Sequence, residues 1–143
     1  MKYKVDEALS TIVSAISYAG YSPGKDVFLA IDAASSEFYA GGTYDVDGMR
    51  LSAGELMDHY VELTKTHPLI SIEDPFFEDD FETTAELTRK IGSKVQIVGD
   101  DLFVTNSRRL SKGISEGALQ YHLTHRWQML LGGSSLQPLK AWR

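Results

Sequence analysis

The sequence predicts an α/β fold in which parallel strands alternate with helices. Three short apolar runs, VFLAI at residues 27–31, LISI at residues 69–72 and VQIV at residues 95–98, are separated by segments with helical patterning. Continuous apolar runs of this kind are typical of strands that are covered on both faces. Strands that alternate with helices of this length form right-handed βαβ units, so we expect one parallel sheet.

The helix that precedes the first run is amphipathic. Apolar residues recur at helical spacing from Val5 to Ile16, and Gly20 follows, where glycine can adopt the left-handed conformation that ends helices. Pro23 and Gly24 then turn the chain into the first predicted strand.

A hairpin is predicted between the first strand and the second helix. Residues 37–51 carry several aromatic side chains, the pair Gly41-Gly42 and the dipeptide Asp47-Gly48. This combination predicts a β-hairpin excursion, and we expect it to cover part of a site at the end of the first strand.

Capping residues mark the later helices. Ser52 with Glu55 three residues later fits a capping box, and Pro68 stops that helix before the second run. A third helix is predicted to begin near Asp79 or Asp80, and Asn106 is predicted to cap a fourth.

The pattern changes after Leu119. The stretch from residue 120 to residue 143 shows neither a strand of the earlier kind nor a clear helical stripe. We therefore predict a domain over residues 1–119 and a separate, divergent tail over residues 120–143.

Length, composition and charge restrict the class of protein. The chain has 143 residues, 43% of them hydrophobic and 24% charged, which is the size and composition of one globular domain. Its net charge of −6 argues against a nucleic-acid surface and favours cations or other proteins as partners. The absence of cysteine excludes thiolate metal sites, and no run is long enough to predict a membrane span, so we expect a cytoplasmic protein.

An acidic residue follows each apolar run. Asp32, Glu73 and Asp100 close the three predicted strands, and parallel strands end at the same edge of a sheet, where barrel enzymes place their active sites. Carboxylate oxygens are the ligands that hard divalent cations prefer, so we predict a cation site there. Asp74 and Asp101 are neighbouring acids, and since successive strand residues point to opposite faces, we expect only one of each pair to face the site.

A second acidic stretch admits a calcium interpretation. Residues 78–82 contain four acids but lack the spacing and the central glycine of an EF-hand loop. A solvated helix start is therefore the favoured interpretation.

Three segments resemble one known family. AIDAASSEFY, SIEDPF and VGDDLFVTN occur in this order and at these spacings in enolase, the phosphopyruvate hydratase of glycolysis. The resemblance covers residues 5–118 and implies a partial TIM-type barrel with about three consecutive βα units, so residues 1–119 would be a partial barrel domain.

The resemblance implies both a metal and a substrate. Asp32, Glu73 and Asp100 match the family's three Mg²⁺ ligands, and Glu73 and Asp100 would also contact the substrate. Family members remove the C2 proton of 2-phosphoglycerate and expel the C3 hydroxide to give phosphoenolpyruvate. Intact members are usually homodimers.

The family's proton-transfer groups are not found in this sequence. The GDEGGF-like segment with the acidic glutamate does not occur, and His125 lies at the position of the base lysine. No catalytic residue is therefore assigned, and we expect an enolase fragment that is inactive alone. The alternative is a non-catalytic piece that pairs with a complementary part of a barrel, because open strand edges favour pairing.

Overall fold

The computed structural model describes residues 4–118 and the backbone of residues 121 and 122. Within these residues the elements follow in chain order as α1 (Val5–Tyr18), β1 (Leu29–Asp32), β2 (Tyr39–Ala40), β3 (Thr43–Val46), β4 (Met49–Leu51), α2 (Ala53–Thr66), β5 (Leu69–Glu73), α3 (Phe81–Ile91), β6 (Gln96–Gly99), α4 (Ser107–Glu116) and β7 (Tyr121–His122). A short 3-10 helix, Ser35–Phe38, lies between β1 and β2.

The main sheet is parallel throughout. Its strand order is β1-β5-β6-β7, and every neighbouring pair runs in the same direction. The predicted α/β class with parallel strands is confirmed. Within the described residues the sheet does not close, since β1 and β7 lie at its two ends.

The expectation that no strand follows Leu119 is wrong at one place. β7 pairs with the end of β6, with Tyr121 opposite Val98 and His122 opposite Gly99. Two residues are too few to show a hydrophobic period, which is why the sequence pattern did not indicate this strand. Residues 123–143 of the predicted tail lie outside the described residues, and the division into a domain and a tail stays a prediction.

The predicted hairpin excursion is confirmed as a sheet of its own. β2, β3 and β4 pair antiparallel, and the turn between β3 and β4 has positive φ at both Asp47 (55°) and Gly48 (80°). Positive φ at both central residues is the geometry of the tight turns that match the twist of a hairpin. Tyr44 of β3 is 1% exposed, and its hydroxyl oxygen accepts the backbone N–H of Phe77 in the loop after β5 at 2.9 Å, so the hairpin packs on the main sheet's loops.

The predicted caps hold the helices in place. The Ser52 hydroxyl accepts the Glu55 N–H at 3.3 Å while the Glu55 carboxylate accepts the Ser52 N–H at 2.8 Å, which completes the capping box of α2. Asp80 accepts the Thr83 N–H at the start of α3, and Asn106 accepts two N–H groups at the start of α4. The sequence therefore specifies where three of the four described helices begin.

Two apolar clusters bury the sheet. The larger lies between the strands, α1, α2 and α3 and includes Leu56, Ile72 and Ile97, each at most 1% exposed. The smaller joins α3, α4 and the loop after β6, and it consists of Phe81, Ala85, Leu102, Phe103, Leu110 and Ala118. This second cluster fixes the loop that begins with Asp100.

Gly99 permits a close approach between the end of β6 and the loop that follows it. A Cβ atom placed there would lie 2.5 Å from the Phe103 ring and 3.0 Å from the Leu102 Cβ. Phe103 and Leu102 are 2% and 4% exposed, so neither side chain has free space to enter. A side chain at position 99 would therefore displace the loop that carries Asp100.

We expect Gly99→Ala to lower the free energy of unfolding by about 1–3 kcal/mol, the usual cost of overpacking a core. Chemical denaturation measures this change. Gly54→Ala in α2 is the matched control, because a Cβ there meets nothing within 4 Å, and alanine should raise helix stability by up to about 1 kcal/mol. A Gly99→Ala variant as stable as the unmodified chain would contradict the close packing.

Candidate metal centre

The register of the parallel strands brings acidic residues to one edge. Asp32 at the end of β1 pairs with Glu73 at the end of β5, and Glu73 pairs with Val98, two residues before Asp100. Residues that pair across parallel strands project their side chains to the same face. The predicted strand-end acids Asp32 and Glu73 therefore lie side by side.

Three carboxylates form a compact group at this edge. One oxygen atom each of Asp32, Glu73 and Asp74 lies within 4.8 Å of the other two. Asp32 is exposed, Glu73 is partly exposed, and Asp74 is 5% exposed. Solvent exposure within the group therefore decreases from Asp32 through Glu73 to Asp74.

Asp74 lies beside Glu73 in this group, although we expected the two residues to point to opposite faces of the sheet. Both contribute an oxygen to the group because Asp74 leaves the strand geometry, with a φ of +43°. The residue before a proline is usually extended, and Asp74 departs from that geometry. The left-handed φ breaks the alternation of faces at this residue.

The backbone around Asp74 joins neighbouring strands. Its N–H donates to Val98 O at 3.0 Å, and its carbonyl accepts the Ser35 N–H at 3.1 Å. These bonds tie the loops after β1 and β5 to the end of β6, and they hold the Asp74 carboxylate at the edge of the sheet.

The Asp74 side chain accepts hydrogen bonds from the next strand-end loop. Its carboxylate accepts the backbone N–H groups of Asp100 (3.1 Å), Asp101 (3.0 Å) and Leu102 (3.4 Å). Backbone donors stabilise a buried carboxylate that would otherwise lose the hydration of its charge. This contact was not predicted, since it depends on the left-handed turn before Pro75, for which the sequence gives no direct signal.

Asp100 is near the group without being a member of it. Among residues 4–118, the acids that meet the 4.8 Å distance are Asp32, Glu73 and Asp74. The negative charge of Asp100 nevertheless acts on Glu73, whose pKa it helps to raise. The structure therefore places all three sequence-predicted acids at one edge and brings Asp74 among them.

The electrostatics of the edge favour a cation. Partial burial is the largest cause of a raised pKa at Glu73, followed by the negative charges of Asp32, Asp74, Asp100 and Asp101. Burial also raises the pKa of Asp74, although its backbone donors act in the opposite direction. A positive charge among these carboxylates would relieve their repulsion.

A buried serine links the loops behind the acids. Ser35 is fully buried, its hydroxyl donates to Pro75 O at 2.9 Å, and the same hydroxyl lies 3.2 Å from the Tyr60 hydroxyl. Burial raises the pKa of Tyr60 to about 12, so this phenol stays neutral and keeps its hydrogen bond. The serine thereby connects the loop after Asp32 to the loop after Glu73.

The donor set fits a hard divalent cation. All atoms of the group are carboxylate oxygens, and Mg²⁺ binds oxygen at about 2.1 Å in an octahedron, so that its oxygen ligands lie roughly 3–4 Å apart. The oxygens of the group lie within 4.8 Å of one another, which is close to that spacing. The exposure of Asp32 leaves room for the waters that Mg²⁺ retains.

The second acidic stretch, residues 78–82, lies at the start of α3, as we expected from the sequence. Asp80 caps α3 through the Thr83 N–H at 3.0 Å. Asp79 pairs with Arg109 at 2.7 Å. The interpretation of this stretch as a solvated helix start is confirmed.

Fold and site together define the class of protein. Barrel domains place their functional sites at the carboxyl edge of a parallel sheet, which is where this chain carries its group of carboxylates. The family model described as "Enolase, C-terminal TIM barrel domain" matches residues 3–132, which extends past the predicted boundary at residue 119. The chain belongs to this family, and the predicted partial barrel is confirmed.

A curated relative agrees with the family match. The enolase of Thermococcus kodakarensis is 53% identical over 117 residues, which make up 80% of this chain and 27% of that enolase. The chain therefore spans about a quarter of the length of this relative.

No helix among residues 4–118 combines the length and the apolar character that crossing a membrane requires.

Proposed function

We propose that this chain carries the Mg²⁺-binding part of an enolase-type lyase, which dehydrates 2-phosphoglycerate to phosphoenolpyruvate in the cytoplasm. The observation that carries the proposal is the parallel register that places Asp32 beside Glu73 at the carboxyl edge of the sheet, with one oxygen of each within 4.8 Å of the other. The 53% identity to an enolase supports the choice of reaction.

Asp32, Glu73 and Asp100 are the proposed ligands. Asp32 and Glu73 end neighbouring strands in register, and the charge of Asp100 already acts on Glu73. Glu73 and Asp100 are also proposed to contact the substrate. We assign no acid or base to this chain, and His125 lies outside the described residues.

The metal and the protein have separate tasks in this proposal. When bound, Mg²⁺ would stabilise the negative charge that develops as a proton leaves the carbon beside a carboxylate. The carboxylates of the chain would hold the ion, and the loops joined by Ser35 keep Asp32 and Glu73 in register. The partly exposed Glu73 leaves one side of the site open to substrate.

Replacement of one ligand tests the metal site. We expect the unmodified chain to bind Mn²⁺, used as a paramagnetic substitute for Mg²⁺, and Glu73→Gln to weaken binding at least about tenfold, because glutamine keeps the size but removes the charge. Electron paramagnetic resonance of free Mn²⁺ measures both affinities.

Glu62→Gln on α2 is the control for this titration. Its side chain is 62% exposed and pairs with Lys65, so binding should be unchanged. Equal Mn²⁺ affinity of the Glu73→Gln variant and the unmodified chain would refute the proposed site.

A separate assay tests the expected lack of turnover. We expect the 143-residue chain with Mg²⁺ to form no measurable phosphoenolpyruvate, since an acid or base group contributes about 10²–10⁴-fold each. Ultraviolet absorbance follows the product, and the intact Thermococcus kodakarensis enolase is the positive control. Absorbance that rises in proportion to the amount of this chain would show that the acid and base are not needed or lie within it.

The open sheet favours assembly as a second candidate function. Within the described residues no strand pairs with the outer edge of β1, and β1 lies at the end of the sheet. Unpaired strand edges are templates for pairing with another chain. The partner proposed here is a complementary part of a barrel.

Sedimentation velocity tests this second candidate. We expect the isolated chain to self-associate as its concentration rises, and a complementary barrel piece to suppress that association by covering the edge of β1. A compact monomer at all concentrations would count against the assembly function.

A further inference from the structure

One residue, Asp74, accepts hydrogen bonds from the backbone N–H groups of the loop that carries Asp100. The backbone N–H groups of Asp100, Asp101 and Leu102 all converge on the carboxylate of Asp74, at distances from 3.0 to 3.4 Å. Three successive donors on one acceptor fix the direction of the chain at Asp100. Asp74 itself is 5% exposed, so water does not compete for these bonds.

Arg109 donates a hydrogen bond to a backbone carbonyl of the same loop. Its Nε donates to Leu102 O at 2.7 Å, and its guanidinium also donates to Asp79 at 2.7 Å and to the carbonyl of Glu78. The loop therefore keeps an anchor of its own when the Asp74 carboxylate is changed, and the buried Phe103 provides a second.

The loop needs such anchors because its backbone is strained. Val104 and Thr105 have positive φ, at 40° and 55°. Branched side chains disfavour the left-handed region, and such strain persists only where surrounding contacts enforce it. Asp74 and Arg109 supply these contacts directly before the strained pair.

The hydrogen bonds distinguish Asp74 from the proposed ligands. Both of its carboxylate oxygens accept backbone N–H groups, with Oδ1 bonded to Asp100 and Leu102 and Oδ2 to Asp100 and Asp101. Asp32 is exposed and Glu73 partly exposed, so their oxygens are accessible to an ion and its waters. Groups behind a metal ligand commonly orient it through such hydrogen bonds.

We propose that Asp74 is a positioning residue that directs Asp100 toward the metal, and that it is not a ligand itself. This inference rests on the proposed function. In this proposal, Asp74 lies close to Asp32 and Glu73 because it connects the ends of β5 and β6, and not because it binds the ion.

Replacing Asp74 by asparagine in the metal-free chain tests whether its carboxylate restrains the loop that carries Asp100. Asp74→Asn keeps the shape but replaces one of the two acceptor oxygens with an NH₂ group. The amides of Asp101 and Leu102 bond to different oxygens, so at least one of them should exchange hydrogen at least about tenfold faster. Unchanged exchange at both amides would overturn the proposal. Asp58→Asn on α2 is the control, since its side chain is 78% exposed and these amides should not respond.

Mn²⁺ titration then separates positioning from ligation. Asp74→Asn should weaken Mn²⁺ binding about 10–100-fold, the usual effect of changing a group that orients a ligand. In the Asp100→Asn background the same substitution should have little further effect, because Asp74 acts through Asp100. Independent losses that multiply in the double variant would overturn the proposal.

A measurement on the unmodified chain covers the case in which Asp74→Asn fails to fold. Protection of the Asp101 and Leu102 amides should persist when Mn²⁺ saturates the site. Loss of that protection on saturation would show that the Asp74 carboxylate turns to the ion, and would overturn the proposal.

The two hypotheses fail in different ways. Absence of Mn²⁺ binding by the unmodified chain would overturn the proposed function, and with it the role of Asp74 toward a metal. Normal Mn²⁺ binding together with unchanged amide exchange in Asp74→Asn would overturn only the role of Asp74.

Discussion

The parallel register of β1, β5 and β6 is the constraint on which the site depends. It places Asp32 opposite Glu73 and aligns the end of β6 with both. The acidic side chains therefore lie close together because the strands that carry them pair in register. A shift by one residue would turn each side chain to the other face of the sheet. The buried Ser35, which links the loops after β1 and β5, reinforces that alignment.

Concentrated negative charge at one edge opposes folding unless something compensates it. The fold uses two means of compensation. The backbone N–H groups of the loop after β6 stabilise the buried Asp74, whereas Asp32 and Glu73 remain accessible to solvent and to a cation. Partial burial and, after it, the neighbouring negative charges raise the pKa of Glu73.

Much of this arrangement could be predicted from the sequence because it depends on local chemistry. Ser52, Asp80 and Asn106 cap helices through bonds to residues two or three positions away, and Gly99 precedes a bulky buried loop. Contacts between distant residues were harder to predict. The left-handed Asp74 and the pairing of β7 depend on strands that meet only in the folded chain, and the sequence before Pro75 indicated extended geometry instead.

In the proposed site, this edge holds one divalent cation through Asp32, Glu73 and Asp100. Anomalous diffraction from crystals soaked in Mn²⁺ tests it most directly, since the peak locates the ion. We expect one peak about 2.1–2.3 Å from an oxygen of each of these three carboxylates, with Asp74 still bonded to the amides of residues 100–102. A peak coordinated by Asp74 in place of Asp100, or no peak at this edge, would contradict it.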